Sequence, residues 1–197
     1  MHHPSSLQTD FGQGWSAPGP QRGFVLRAGG GPTSGYTTKP NLGFSSPNSL
    51  EVIAQVPGHC VLADCDLVVE ADTYLSYFIF PEVPVGSAVG ADPATRYGAT
   101  HVAVDLVFSD GQRLSDLGPL DQYGFSLTAE GQGQAKSLYP RQWNYVECSL
   151  SQWVGKRIRR VELTFSSQNV FPATVWLSDL AVGPDFTQGS LTFARIR

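Results

Sequence analysis

Between Val102 and Phe108 apolar residues recur at every second position. Val102, Val104, Leu106 and Phe108 fall on one side, and Ala103, Asp105 and Val107 on the other. That period is the mark of a strand with one face committed to a core. Asp110-Gly111 follows, a strong short hairpin signal because Gly accepts the positive φ of a tight turn. A returning strand is therefore predicted through Arg113, Leu114, Ser115, Asp116 and Leu117. The same alternation sets Leu50, Val52 and Ala54 against Glu51, Ile53 and Gln55, and Val161, Leu163 and Phe165 against their polar neighbours. Cys60 to Ala71, Tyr145 to Leu150 and Thr174 to Val182 read as further strands. Tyr74 to Phe80 (YLSYFIF) is apolar on both faces and predicts a central strand.

Between these segments the chain is rich in Gly, Pro, Ser and Thr. Ala17 to Pro47 shows no helical period and reads as loop, with Tyr36 and Phe44 as anchors. Pro81 to Ala99 reads as a second loop, Gly155-Lys156 as a turn, and Leu191-Thr192-Phe193 as a last strand. Residues 1–16 read as a lead-in whose Phe11 and Trp15 could start an edge strand or pack an aromatic onto the domain. Short strands separated by turn signals, without a convincing amphipathic helix, predict an all-β fold: one antiparallel β-sandwich over residues 17–197.

Composition agrees with that pattern. The 197 residues hold 21 Gly and 14 Pro but one Met, and only 15% are charged. A formal net charge of −4 argues against nucleic acid or an anionic membrane as partner. No apolar run is long enough to span a bilayer. The opening MHHPSSLQTDFGQGW lacks the apolar middle of a signal peptide, so an extracellular location is expected only for a piece of a longer secreted protein. Cys60, Cys65 and Cys148 make an odd set. They read as small buried apolar side chains, with a local Cys60–Cys65 bridge as the alternative.

The chemically expressive residues gather after the hairpin, in a loop region that carries Asp121, Gln122, Tyr123, Gln132, Tyr139, Trp143 and Asn144. Asp116 and Asp121 could form the carboxylate pair of a glycosidase. The Gly, Pro and Gln around them suggest hydration instead, with Asp116 accepting backbone N–H bonds in its turn. No GxSxG is present, His59 and His101 lie beside no nucleophile motif, and Gly29-Gly30-Gly31 lacks the Lys-Ser/Thr of a phosphate loop. Sugar recognition suits the residue types better. A pyranose offers a C–H face for an aromatic ring and hydroxyls that meet Asp, Asn and Gln side chains in pairs. Trp143, Asn144, Asp121, Gln122, Tyr123 and Tyr139 are the candidate carbohydrate contacts. Trp176 alternates with Ser178 and Leu180 and reads as buried or at a domain contact.

The runs VAVDLVFSDG, LSDLG, DQYG, QGQAKSLYP and QWN, in that order, resemble an accessory β-sandwich of large actinobacterial α-mannosidases of glycoside hydrolase family 92. Weaker echoes lie in GPTSGYTTK, TYLSYFIFP, VGKRIRRVELTF and VWLSDLAV, so the likeness covers most of residues 31–182. The resemblance implies a jelly roll of the galactose-binding-domain type. It also implies a non-catalytic carbohydrate-binding or scaffolding appendage that takes a mannoside-type glycan or docks on a glycosidase catalytic domain. The family's helical catalytic barrel has no counterpart in this sequence. Modules of this kind often hold a structural calcium, for which Asp179 and Asp72 are the candidate ligands. The Phe-Glu pair expected near the domain start is replaced by Phe11-Gly12.

Overall fold

The computed structural model describes residues 6–12, 14–33, 35, 43–83 and 97–184. Nine strands are assigned among them: β1 (Leu7–Thr9), β2 (Phe24–Ala28), β3 (Leu50–Ala54), β4 (Gly58–Val68), β5 (Thr73–Pro81), β6 (Val102–Phe108), β7 (Asn144–Ser149), β8 (Arg157–Phe165) and β9 (Ala173–Pro184). The larger sheet runs β2-β3-β9-β5-β7, with β1 added to β9, and the smaller runs β4-β8-β6. Every pairing is antiparallel. The two sheets make the predicted sandwich.

The period-two pattern fixes which side chains meet between the layers. Leu75, Tyr77, Ile79, Val146, Cys148, Val175 and Leu177 face inward from the larger sheet. Cys60, Leu62, Val104, Leu106, Val161 and Leu163 answer from the smaller. Tyr77 spans the gap, and its buried hydroxyl accepts the Val104 N–H. Burial pushes its phenol well above the ordinary range. In β9 one extra residue is inserted opposite β5 between Ser76 and Phe78. Asp179 occupies that bulge at φ 49°, which returns Leu180 and Val182 to the core face.

Several expectations are corrected. The Asp110-Gly111 turn forms, but the returning segment makes a single bridge, Val107 to Arg113, and then coils into a 3-10 turn over Leu114–Leu117. The cause is Asp105, whose carboxylate captures both the backbone N–H and the hydroxyl of Ser115. Asp105 stands on the side of β6 away from the core, as the alternation predicts, yet it is only 4% exposed. Residues 24–28, read as loop, are an edge strand between Gly23 and Gly29. Leu7–Thr9, read as lead-in, joins β9, whereas Phe11 and Trp15 follow the second of their two expected courses: Phe11 is fully buried in the core, with Trp15 edge-on to it at 5.4 Å. A short helix, α1 (Ala129–Ala135), interrupts the loop region, capped by the Thr128 hydroxyl.

Cys60 and Cys65 lie five residues apart on one strand, roughly 16 Å of chain, whereas a disulfide needs about 4.4–6.8 Å between Cα atoms. All three thiols are free. Burial raises Cys60 and Cys148 to about 12 and Cys65 to about 11, which leaves them unreactive. Tyr36 and the Leu191-Thr192-Phe193 strand lie outside the described residues. Among those described, no helix is long and apolar enough to cross a membrane.

Candidate functional site

The loop region owes its shape to two side chains that sequence reasoning placed at a ligand. Asp121 is 7% exposed. One carboxylate oxygen accepts the N–H groups of Tyr123 and Phe125, both at 2.9 Å, and the other accepts the Gln132 amide at 2.9 Å. Gln132, buried on α1, accepts the Ser137 hydroxyl with its own carbonyl. Asn144 does the same work at the far end of the region. Its carbonyl accepts the Tyr139 N–H, and its amide donates to the carbonyls of Tyr139, Gln142 and Ile79. Both residues therefore shape loops with polar atoms already engaged.

Gln122 behaves differently. β7 is an outer strand of the larger sheet, and the Gln122 amide lies along its edge like one peptide of a further strand. It donates to the Tyr145 carbonyl at 2.7 Å and accepts the Glu147 N–H at 2.9 Å. By this contact the loop is moored to β7, with Tyr123 left 73% exposed beside it. Tyr139 is also exposed. Trp143 is half-buried, edge-on to Phe80 at 5.6 Å and to Phe44 at 6.5 Å.

Where the moored loop meets the sheet edge there is a groove of about 200 Å³. Tyr74, Glu147 and Ser149 line it from β5 and β7. Leu120, Asp121 and Gln122 come from the loop, and Gln152 and Trp153 from the turn after β7. The strand contribution follows from register: Tyr74 stands opposite Ser149, and inward-facing Val146 and Cys148 force Glu147 and Ser149 outward. The groove thus combines two aromatic rings, a carboxylate, amide groups and a hydroxyl. Glu147 accepts the Tyr145 hydroxyl, which orients its carboxylate. Gln122 retains one N–H and one acceptor lone pair beyond its bonds to β7.

The structure brings Asp121 and Gln122 to this groove and leaves Trp143, Asn144 and Tyr139 outside its lining. Tyr74, Glu147, Ser149 and Gln152 join the lining without having been candidates from the sequence, which left Trp153 open between core and ligand contact. The signal available for them was the run Tyr145, Glu147, Ser149 at alternate positions of a strand whose other positions are apolar.

The carboxylates proposed for other roles are occupied. Asp116 accepts the Arg113 N–H at 3.2 Å, the turn-tying role, while Asp121 is held by three N–H donors. Asp179 accepts the N–H and hydroxyl of Ser45 and the hydroxyl of Ser178, which straps the segment carrying Phe44 onto the sheet. Asp72 sits exposed in the turn before β5, several residues along the sheet from Asp179. The two calcium candidates are not brought together. No group of three or more His, Cys, Asp or Glu suited to a metal exists among the described residues.

Charge is concentrated instead on the outer face of the smaller sheet. Asp105 and Glu162 are cross-strand partners, 4% and 3% exposed, and Arg113 reaches both, at 3.3 and 2.6 Å. His59 stands 3.9 Å from the Glu162 carboxylate. Nearby, Gly133 of α1 lies so close to the His101 ring that a Cβ there would overlap it. Over Asp105 and Glu162 this face is covered by the segment that follows β6, through Arg113 and Ser115, while His59 at its margin stays exposed.

No protein-family model matches the chain. No curated protein matches it either. Among solved structures it is similar to the glycoside hydrolase domain of Endo-D from Streptococcus pneumoniae R6, with 16% identity and a TM-score of 0.43, over 92% of this chain and 28% of that one. The chain therefore spans under a third of the length of that structure.

Proposed function

We propose that this chain is a non-catalytic carbohydrate-binding module that works beside a glycoside hydrolase catalytic domain, as part of a longer secreted protein. The observation that carries the reading is the groove between β5, β7 and the 120–122 loop. It pairs aromatic rings at Tyr74 and Trp153 with the mixed donors and acceptors of Glu147, Gln122, Gln152 and Ser149. At about 200 Å³ it is smaller than the roughly 300–1,000 Å³ of sites for drug-sized ligands, and has the scale of one sugar ring. A mannoside preference comes from the family 92 resemblance alone. Binding of one ring is weak, because little free energy remains after ordering costs, and attachment to a parent chain would offset that through multivalency.

The test is calorimetric titration with mannose and mannose oligosaccharides. Trp153→Ala and Glu147→Gln are expected to weaken binding by about tenfold or more, the loss of one stacked face or one charge-assisted hydrogen bond. Wild-type affinity in both variants would remove the groove as the site. Trp143→Ala separates this reading from one centred on Trp143, since it should leave binding intact.

A second reading is a structural sandwich that docks on a neighbouring catalytic domain. It draws on Leu120, Tyr123 and Phe125, which are 55%, 73% and 43% exposed on a loop already made rigid by Asp121. It expects no sugar binding by the isolated chain.

A further inference from the structure

The groove continues into an ordered row on the same face. Outward positions on β5 run Tyr74, Ser76, Phe78, and their cross-strand partners on β7 run Ser149, Glu147, Tyr145. Four residues of strand separate the first pair from the last, about 13 Å at about 3.3 Å per residue. One sugar ring does not fill that length; a short linked chain does.

Both ends of the row carry aromatic surface. At the groove end are Tyr74 and Trp153. At the other, Phe44 lies flat on Phe78 with centroids 3.6 Å apart and planes 12° from parallel, and is 52% exposed. Tyr145 leans on Phe78 from β7 at 5.0 Å. The Phe44 ring is held in place, because its own N–H donates to the Ser178 hydroxyl and the next residue is tied to Asp179. Between the ends, the Glu147 carboxylate and the Tyr145 hydroxyl bonded to it supply polar contacts. Aromatic faces at either end of a polar middle match the alternation of C–H faces and hydroxyls along a glycan. A rigid ring that needs no ordering on binding retains more of its contact free energy.

We infer that the ligand is a linear oligosaccharide that follows β5 and β7, with one residue in the Tyr74–Trp153 groove and a later one on the Phe44 ring. This rests on the carbohydrate reading above and names the chain length that the site takes. Phe44 is then a binding residue that acts only on ligands long enough to reach it.

The experiment is calorimetry on the full chain with mannose, mannobiose, mannotriose and mannotetraose. Affinity is expected to rise about tenfold once the ligand reaches Phe44, the order gained by covering one more apolar ring face. Phe44→Ala should erase that gain and leave the mannose affinity unchanged, whereas Trp153→Ala lowers all four affinities. Phe44→Leu keeps apolar cover over Phe78 without a flat ring and should behave as Phe44→Ala does. An affinity independent of length, or a length gain that survives both Phe44 variants, overturns the inference while the groove stands. Failure of all four sugars to bind overturns the carbohydrate reading, and this inference with it.

Discussion

The outer faces of the two sheets have opposite characters. On β6 and β8 the outward residues include Asp105 and Glu162, charged yet almost fully buried, with Arg113 between them. On β5 and β7 the outward row includes Tyr74, Tyr145 and Glu147, uncharged or singly charged and only half-buried. Over these carboxylates the first face is covered, because the chain leaving β6 folds back across them through Arg113 and a 3-10 turn that carries Ser115. Its charges meet one another, and their solvation is replaced inside the protein. On the second face the loop stops at the sheet edge, moored by Gln122, and leaves aromatic rings beside polar groups with bonding capacity to spare. Charge satisfied internally is architecture. Rings and donors at a partly open edge are what a ligand can use.

That contrast can be broken at its strongest point by Arg113→Ala. Removing the guanidinium leaves two buried carboxylates facing each other, which should cost about 3 kcal/mol, the lower end for a broken buried pair because Arg113 is partly exposed. Urea unfolding reads the loss, and sugar affinity should be unchanged wherever the fold persists. A variant as stable as wild type would mean that the covered face is not held by its charges.

Gln122→Ala tests the mooring. Loss of two hydrogen bonds to β7 should lower stability by about 1 kcal/mol and weaken sugar binding, since the loop wall of the groove is no longer fixed. It also bares a strand edge, so concentration-dependent self-association by light scattering is expected. Unchanged binding would show that the groove keeps its shape without the loop contact.

The smallest effect concerns pH. Burial holds His101, packed against Gly133, below its ordinary imidazole value of 6.5. The unfolded chain therefore takes up a proton at a pH where the folded protein does not. Stability should be full above about pH 6.5 and decline as pH falls from there toward the folded-state value. His101→Phe should flatten that part of the profile in thermal unfolding, with no effect on the groove. An identical slope in the variant would assign the pH dependence to other groups.

Much of this fold is legible in the chain because alternation is a direct imprint of burial. β3, β6 and the Val161–Phe165 part of β8 divide into core and outer faces on their hydrophobic pattern alone, and the Asp110-Gly111 turn follows from Gly. β1 and β2 are not legible. They are short, half-exposed, and stabilised by partners far along the chain, so their own sequences carry little periodicity. At the groove, residue types in the sequence single out two of its lining residues, Asp121 and Gln122. The same types that bind sugars also tie turns, however, and only the hydrogen bonds distinguish the two uses: Asp121 and Asn144 bind their own backbone.

Local pattern was thus enough to specify a two-layer antiparallel sandwich and the loop region that adorns it, because side-chain period and turn chemistry belong to short stretches of chain. It took the assembled fold to bury Asp105, to make Asp179 both a bulge and a strap, and to bring Tyr74, Glu147 and Trp153 into one groove. Those outcomes depend on cross-strand register and on which segment folds over which face. Both are set by contacts between residues tens of positions apart, which no local pattern encodes.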